Sequence, residues 1–443
     1  MYSNTKRTMK KVLIITYYWP PSGGAGVQRW VKFAKYLRDF GWEPIVYIPE
    51  NPHYPILDKS FEKDLPENLH VIKHPIWEPY SFYKKFMGMK KEEKVQHGFI
   101  QEKKQSSFKQ NISVWIRSNF FIPDARKFWI KPSIKYLTGY FKNIEKPDVI
   151  ISTGPPHSMH LIAMGLKKSL NIPWVADFRD PWTGIDFYDQ LKLTTWADRK
   201  HKRLERMVLS TADAVISIGW TMAKELEDLG SKKVEVITNG FDEDDFKENH
   251  TVTPNHEFIL SHIGSLNKDR NPEILWQSLK ELINENEEFR SKLKIRLVGK
   301  VDHIVNESIK KYHLEDFIIK IDYLPHDKLG SIFQSSEILL LLLNDTPNIE
   351  GIVTGKIFEY LAANRSILCI GSSTGDAAKI INITKSGKAV DFNDKKGINS
   401  FLLERFSEFQ NGNKLKNNNQ NIDTFSRKRL TENLCRILDD VTN

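Results

Sequence analysis

The stretch Trp19-Pro20-Pro21-Ser22-Gly23-Gly24-Ala25-Gly26-Val27 concentrates glycine between an apolar run and an amphipathic segment. Glycines there let a ligand approach the backbone, and a helix start behind them favours an anion. It is not a dinucleotide fingerprint, because Arg29 stands where the third glycine belongs, and no Gly-Lys-Ser/Thr follows to make a P-loop. A shaped ligand loop and a tight strand–helix turn are both compatible with it. Asp177-Phe178-Arg179-Asp180-Pro181-Trp182 follows a second apolar run. The two carboxylates, Asp177 and Asp180, and Arg179 are suited to orienting a sugar hydroxyl or supplying a base, and an internal ion pair capping the loop is the alternative. Ser152-Thr153-Gly154-Pro155-Pro156-His157-Ser158 is placed in the same way, with His157 either a substrate contact or a packing residue.

The second half of the chain has its own candidates. In Gly264-Ser265-Leu266-Asn267-Lys268-Asp269-Arg270-Asn271-Pro272, Lys268 and Arg270 suit a departing diphosphate, whose charge grows in the transition state. In the run from Asn348 to Glu359, Thr354 is the expected N-cap of a helix that buries Ile357, Phe358 and Leu361. Glu359 then falls in the first or second turn. A carboxylate there grips vicinal ribose hydroxyls while the preceding amides hold phosphate, or it simply complements the helix dipole. Asn239-Gly240 is a tight-turn signal. Asp242-Glu243-Asp244 matches an Asp-x-Asp metal signature, but in its acidic setting it reads as a solvated charge run.

The elements that must hold these residues alternate. Strands are expected at Lys11–Ile15, Pro44–Ile48, Asp148–Ile151, Trp174–Ala176, Ala214–Ile218 and Val234–Ile237. Val27, Trp30, Val31, Ala34 and Leu37 recur at helical spacing, and Gly41 stops that helix. A second series follows, with strands at Phe258–Ile263, Ile295–Val298, Phe317–Ile319, Ile338–Leu343 and Ser366–Ile370, and helices at Pro272–Glu285, Leu329–Ser335 and Lys356–Ala363. Phe241–Asn255 reads as a linker and Phe406–Asp423, rich in Asn, Gln and Lys, as a solvated loop. The fold class is therefore α/β, with two Rossmann-like doubly wound domains, residues 1–250 and 256–424, and a last helix in 425–443. Such domains place a ligand in the cleft they face across.

The chain has 443 residues, 40% hydrophobic and 27% charged, which excludes collagen-like and wholly disordered classes. Two cysteines exclude a disulfide framework and a multi-cysteine metal site. No apolar run approaches the roughly 18 residues of a membrane span, and the start of the chain lacks a secretory apolar segment, so a cytoplasmic protein is expected. The net charge of +9 is uneven. Residues 1–150 hold 26 Lys/Arg and 14 Asp/Glu, an excess of twelve, while residues 251–443 are balanced at 26 and 26. Much of the excess lies in Pro79–Lys135, where Lys84, Lys85, Lys90 and Lys91 are interleaved with eleven aromatics such as Tyr80, Phe82, Trp115, Phe128 and Trp129. That mixture suits an anionic bilayer interface. A structural insertion is the main alternative and nucleic acid the weakest.

Together these motifs resemble glycosyltransferase family four, the retaining nucleotide-sugar transferases of the B-type fold. The resemblance covers roughly residues 9–400. Its most specific pieces are the Pro-Pro-x-Gly-Gly loop, Ala212–Ile216, the Val-Ile-x-Asn-Gly-x-Asp hinge at 236–242, and Gly355-Lys356-Ile357-Phe358-Glu359-Tyr360-Leu361-Ala362. It implies an acceptor-binding first domain, a donor-binding second domain, a C-terminal helix that crosses back, and no metal or cofactor beyond the nucleoside-diphosphate sugar. Carried over by residue, Gly23 and Gly24 lie against the donor and Glu359 on its ribose, with Lys268 and Arg270 in place of the phosphate pair; Gly264, Thr354, Gly355 and Lys356 complete the expected donor-binding set. Arg179, Asp180, Lys268, Arg270 and Glu350 serve catalysis. Three positions depart from the pattern: Gly351 lies eight before Glu359 where a glutamate is usual, Ser265 replaces a phosphate arginine, and Arg179-Asp180 replaces a His-Asp pair. The resemblance implies sugar transfer with retention and no particular substrate; with the aromatic–basic stretch, the expected acceptor is a lipid-linked cell-surface glycan on the inner face of the membrane. A nucleotide-sugar epimerase and a non-catalytic nucleotide-sugar-binding partner are the rival readings.

Overall fold

The computed structural model describes residues 9–54, 56–78, 108–246, 256–322, 324, 328–412 and 419–443. The chain divides into two compact units, Met1–Thr238 with Arg427–Asn443, and Asn239–Ser426.

The first unit is built on β1 (Lys10–Ile15), β2 (Trp42–Pro49), β3 (His70–His74), β4 (Val149–Gly154), β5 (Trp174–Phe178), β6 (Ala214–Ser217) and β7 (Val234–Val236). They form one parallel sheet in the order β3-β2-β1-β4-β5-β6-β7. The order reverses between β1 and β4, and at such a switch point the carboxyl ends of the strands open a crevice. The connecting helices are α1 (Ala25–Leu37), α2 (Phe108–Phe120), α3 (Lys127–Asn143), α4 (Ser158–Leu170), α5 (Thr195–Thr211) and α6 (Trp220–Asp228). The α1 stripe of Val27, Trp30, Val31, Ala34 and Leu37 is buried as its spacing predicts. The helix tightens into a 3-10 turn over Arg38–Phe40 and stops at Gly41, whose φ of 82° needs glycine's freedom.

The second unit repeats the plan with β8 (Phe258–Ile263), β9 (Leu293–Val298), β10 (Ile318–Ile321), β11 (Ile338–Leu342), β12 (Ser366–Gly371) and β13 (Gly387–Asp391), parallel in the order β10-β9-β8-β11-β12-β13. Its switch point lies between β8 and β11. Its helices are α7 (Glu273–Glu285), α8 (Glu287–Lys292), α9 (His303–Lys311), α10 (Leu329–Gln334), α11 (Lys356–Ala362), α12 (Asp376–Thr384) and α13 (Lys395–Gln410). The last helix, α14 (Arg427–Thr442), belongs to the first unit. Its Leu430, Leu434, Cys435 and Leu438 share one apolar cluster with the α1 stripe, and Lys10 pairs with its Asp439 at 3.0 Å.

Two expectations are corrected. Phe406 does not open a solvated loop: it is buried, and α13 continues to Gln410 because Phe401, Leu402 and Phe406 close the core against Phe258 and Phe289. Asp242 is not part of a solvated run either. It is 3% exposed, accepts the Asp244 N–H at 3.1 Å, and follows Phe241, whose N–H donates to the Phe425 carbonyl. Among the described residues no helix is long and apolar enough to cross a membrane.

Candidate functional site

In the first unit the candidates gather at the ends of β1, β4 and β5. Gly24 caps α1 with φ 105°, an angle that side chains rarely adopt. Gly23 is packed: its N–H donates to the Ile56 carbonyl at 3.0 Å, and a β-carbon would press on Ile56 and Asp58. Gly26 has the larger consequence. A β-carbon there would collide with the Arg179 guanidinium, so glycine lets that cation lie against the first turn of α1. Arg179 donates to the Pro155 carbonyl through Nη2 and to the Gly154 carbonyl through its backbone N–H, while its Nε is buried without a partner. Asp180 opens to solvent. Its carboxyl is nonetheless pushed up from the usual range by the protein crowding it, against the pull of Arg179.

Asp177 and Arg29 have a different role from the one their sequence positions suggest. Both are at most 1% exposed and pair at 2.9 Å. Asp177 also accepts from Trp30 Nε1 at 2.9 Å and Thr153 Oγ1 at 2.8 Å, and Arg29 donates to the carbonyls of Ile237 and Thr238 at 2.9 Å. Burial pushes the Asp177 carboxyl up, but Arg29 and these hydrogen bonds outweigh it and hold the group below its usual range. This pair ties α1, β4, β5 and the segment after β7 together, and the residue that fails the dinucleotide pattern is its cation. The loop after β4 is fixed in another way. The Asp124 carboxylate accepts both the N–H and the hydroxyl of Ser158 at 2.9 Å, capping α4 from a distant loop. His157 lies flat on Trp182, with ring centroids 4.5 Å apart and planes within 6°.

In the second unit β8 ends at Gly264, whose φ of 117° and missing side chain leave room for the Lys356 ammonium. Lys356 opens α11. Burial, then the neighbouring Arg270, lower it to about 8, with Glu359 pulling the other way. Arg270 donates from Nε to Asn344 Oδ1 at 2.5 Å. Beneath them His262 is buried and donates Nδ1–H to the Leu340 carbonyl at 3.2 Å; burial and then Lys356 lower it to about 3, so it stays neutral. Gly264, Arg270, Lys356 and Glu359 are thus brought together. Lys268 is exposed and shares with Arg270 the rim of a cavity of about 500 Å3, lined also by Glu273, Tyr312 and Phe392. Glu350 faces the loop before α12, accepting from Ser372 Oγ at 2.7 Å and Thr374 Oγ1 at 3.2 Å. Thr354 does not cap α11: exposed Gly355 takes the N-cap place and the Thr354 hydroxyl is buried without a partner. Sequence reading passed over Arg29, Asn344 and His262. Arg29 alone had a signal, a charge two residues from Val27 and beside Trp30 on the buried stripe.

The aromatic–basic stretch divides. Tyr80, Phe82 and Lys84, Lys85, Lys90 and Lys91 lie outside the described residues. Trp129 is buried and stacked on Tyr47, whereas Trp115, Phe120 and Phe128 are exposed.

Residues 98–245 match the family described as Glycosyltransferase Family 4. No curated protein sequence matches the chain significantly. Among solved structures, it resembles the HepE protein of Anabaena in complex with UDP and glucose at 12% identity, covering 97% of this chain and all of that one with a TM-score of 0.57. It resembles sucrose-phosphate synthase from Thermosynechococcus elongatus at 12% identity, over 98% and 99%, with a TM-score of 0.60. It also resembles WaaG, a glycosyltransferase involved in lipopolysaccharide biosynthesis, at 12% identity, over 96% and 99%, with a TM-score of 0.54. The architecture is the B-type glycosyltransferase fold, and the resemblance read from the motifs is borne out.

Proposed function

We propose that the chain is a retaining, metal-independent glycosyltransferase. It moves a sugar from a nucleoside-diphosphate sugar to a lipid-linked glycan of a cell-surface polysaccharide or lipopolysaccharide, at the cytoplasmic face of an anionic membrane. The observation that carries this reading is the Lys356 ammonium held over Gly264 beside Arg270. Burial, and after it the neighbouring Arg270, lower the Lys356 ammonium to about 8, so two cations stand close together at a strand end. A diphosphate relieves that repulsion, and it does so most strongly as the glycosidic bond breaks and the electron pair passes to the leaving oxygen. Lys356 takes over the charge that Ser265 lacks. Glu359, within electrostatic reach of Lys356 in the first turn of α11, is placed to receive ribose hydroxyls. The UDP and glucose of the HepE structure support the donor class, and the involvement of WaaG in lipopolysaccharide biosynthesis supports the acceptor class.

Calorimetric titration with a panel of nucleoside-diphosphate sugars tests the donor assignment. At least one should bind wild type, and Lys356→Ala should weaken it by about 10–100-fold, the loss expected for a charge-assisted contact. Equal affinity in the variant removes Lys356 from the site, and no binding across the panel removes the function.

A further inference from the structure

Helix α5 presents a line of arginines whose charge the described residues do not neutralise. Its inner side, Ala197, His201, Glu205, Val208 and Leu209, is buried. Arg199, Lys202, Arg203 and Arg206 follow one another at helical spacing, so they share the other side, and all four are exposed. With Met207, Leu229 and Gly230 they line a groove of about 420 Å3 between α5 and the end of α6, and no acidic residue lines it among the described residues. Lys202 has a partner, Asp198, at 3.0 Å. Arg199, Arg203 and Arg206 make no hydrogen bond or ion pair among the described residues. Buried Glu205 is within electrostatic reach of Arg206, but its carboxylate is taken by the N–H and the hydroxyl of Thr183. At the end of α6, Glu227 turns aside to accept the Val234 N–H at 3.0 Å.

Guanidinium forks left open in this way suit phosphate, which each can hold bidentately. A single phosphate does not satisfy them. Arg199 and Arg206 are seven residues apart, about 10 Å along the helix axis, so the three forks meet several anions lying side by side. A headgroup layer and a nucleic-acid backbone both offer such a row, and the apolar residues on the same side decide between them. Trp196, three residues before Arg199, is 60% exposed with Lys200 over its ring at 4.7 Å, and Met207 beside Arg206 is 38% exposed. Tryptophan at one end, methionine toward the other and cations between them is the outward face of a helix lying among headgroups, where the apolar side chains reach the acyl boundary. A duplex offers phosphates but no apolar layer beneath them.

We propose that α5 lies along an anionic phospholipid surface, with lipid phosphates seated in the groove on Arg199, Arg203 and Arg206. Helix α5 runs back from the end of β5 to the start of β6, antiparallel to the strands. A bilayer along α5 therefore lies along the strands, and the corner at the ends of β4 and β5 opens sideways at headgroup height. The use of that orientation by a lipid-linked acceptor rests on the glycosyltransferase reading; the lipid contact does not.

Cosedimentation of the full-length protein with vesicles, read without donor or acceptor, tests the contact apart from the transfer reaction. At low ionic strength the protein should partition onto mixed phosphatidylglycerol–phosphatidylcholine vesicles and far less onto phosphatidylcholine alone. Arg199→Gln with Arg203→Gln and Arg206→Gln should lower that partition by about 100-fold, and lysine at the same three positions should keep most of it. Donor titrations should be unchanged in both variants. Cys369 and Cys435 are buried, so Met207→Cys can carry an environment-sensitive fluorophore. Its emission should shift to the blue on the mixed vesicles and stay put with inorganic phosphate or duplex DNA. The proposal is overturned if the glutamine variant sediments as well as wild type, if the lysine variant falls as far as the glutamine one, if vesicles leave the label unshifted, or if phosphate or DNA shifts it.

Discussion

The two strand-end corners of this molecule handle charge in opposite ways. At the corner of β1, β4 and β5, Arg29 and Asp177 neutralise each other in the dry interior and bond further to Trp30, Thr153 and the carbonyls of Ile237 and Thr238. At the corner of β8 and β11, Lys356 and Arg270 crowd together and burial lowers Lys356 to about 8. The first pair is neutral as it stands and offers no net charge to an anion. The second costs the free protein stability and is relieved by an anion. A buried ion pair and an uncompensated cation can look alike as letters in a sequence; what separates them is whether the opposite charge comes from the chain or from a ligand.

The strongest break in that contrast is Asp177→Ala. It strips Arg29 of its carboxylate in a place water does not reach, and should cost about 3–5 kcal/mol in urea unfolding. A loss below about 1 kcal/mol would mean the pair is more solvated than its burial indicates.

The second is Lys356→Ala, with a loss of about 1.4–2.7 kcal/mol in donor binding and no loss of fold stability. The pH dependence sharpens it. An anion binds the ammonium form, so donor affinity should be flat below pH 8 and fall toward tenfold per unit above it. Lys356→Arg keeps its charge and should stay flat. In the free protein the sign is reversed. A lysine whose folded pKa lies below its unfolded value of about 10.4 disfavours folding wherever it must be protonated, so stability from this group rises as pH climbs from about 8 toward that value. Parallel profiles for wild type and Lys356→Arg would sink the assignment.

Third, Glu359→Gln keeps the shape of the first turn of α11 and removes a charged acceptor. It should weaken a nucleoside-diphosphate sugar by about 1–2 kcal/mol and leave binding of inorganic pyrophosphate unchanged or tighter. Weakening of both alike would take Glu359 off the ribose.

What could be read in the letters follows the same division. Strands buried on both faces announce themselves as apolar runs, and β8 was expected with the bounds it has. Two of the four edge strands do not: His70–His74 buries only Ile72, and Gly387–Asp391 only Val390, so neither carries a run to notice. Helix α9 was missed because its buried face is narrow, Val305, Ser308 and Ile309. The site was legible where chemistry is local, as in the glycine loop and the Lys356–Glu359 turn. It was illegible where partners are far apart in sequence. Arg29 lies 148 positions from Asp177, and Ser158 is capped by Asp124 across 34. Thr354 shows the reverse error, a good N-cap type in the right place whose hydroxyl the fold does not use.

The last comparison concerns the outer surface of the first unit, where charge is again left uncompensated but now faces solvent. Trp77 and Phe128 meet edge-on at 4.8 Å and both are exposed. Lys127 sits over Phe128 at 5.0 Å and Phe121 at 5.5 Å, its pKa lowered by burial and by nearby Lys200, which itself covers exposed Trp196 at 4.7 Å. Rings and cations sharing one exposed face are what a headgroup layer accepts, and each basic residue near anionic lipid contributes about 1 kcal/mol at low salt. The protein should sediment with anionic vesicles at low ionic strength and be released as salt screens the contact. Lys127→Glu with Lys200→Glu should weaken that partition by roughly 30-fold or more, from about 1 kcal/mol per residue lost and a further contribution from the charge reversal. Trp77→Ala with Phe128→Ala should weaken it on neutral and anionic vesicles alike, since it removes apolar insertion and not charge. Donor titrations should be unchanged in both double variants, because Lys356, Arg270 and Glu359 belong to the other unit. Wild-type protein that ignores anionic vesicles at low salt, or charge-reversed protein that sediments as well as wild type, would show that this face packs against something other than lipid.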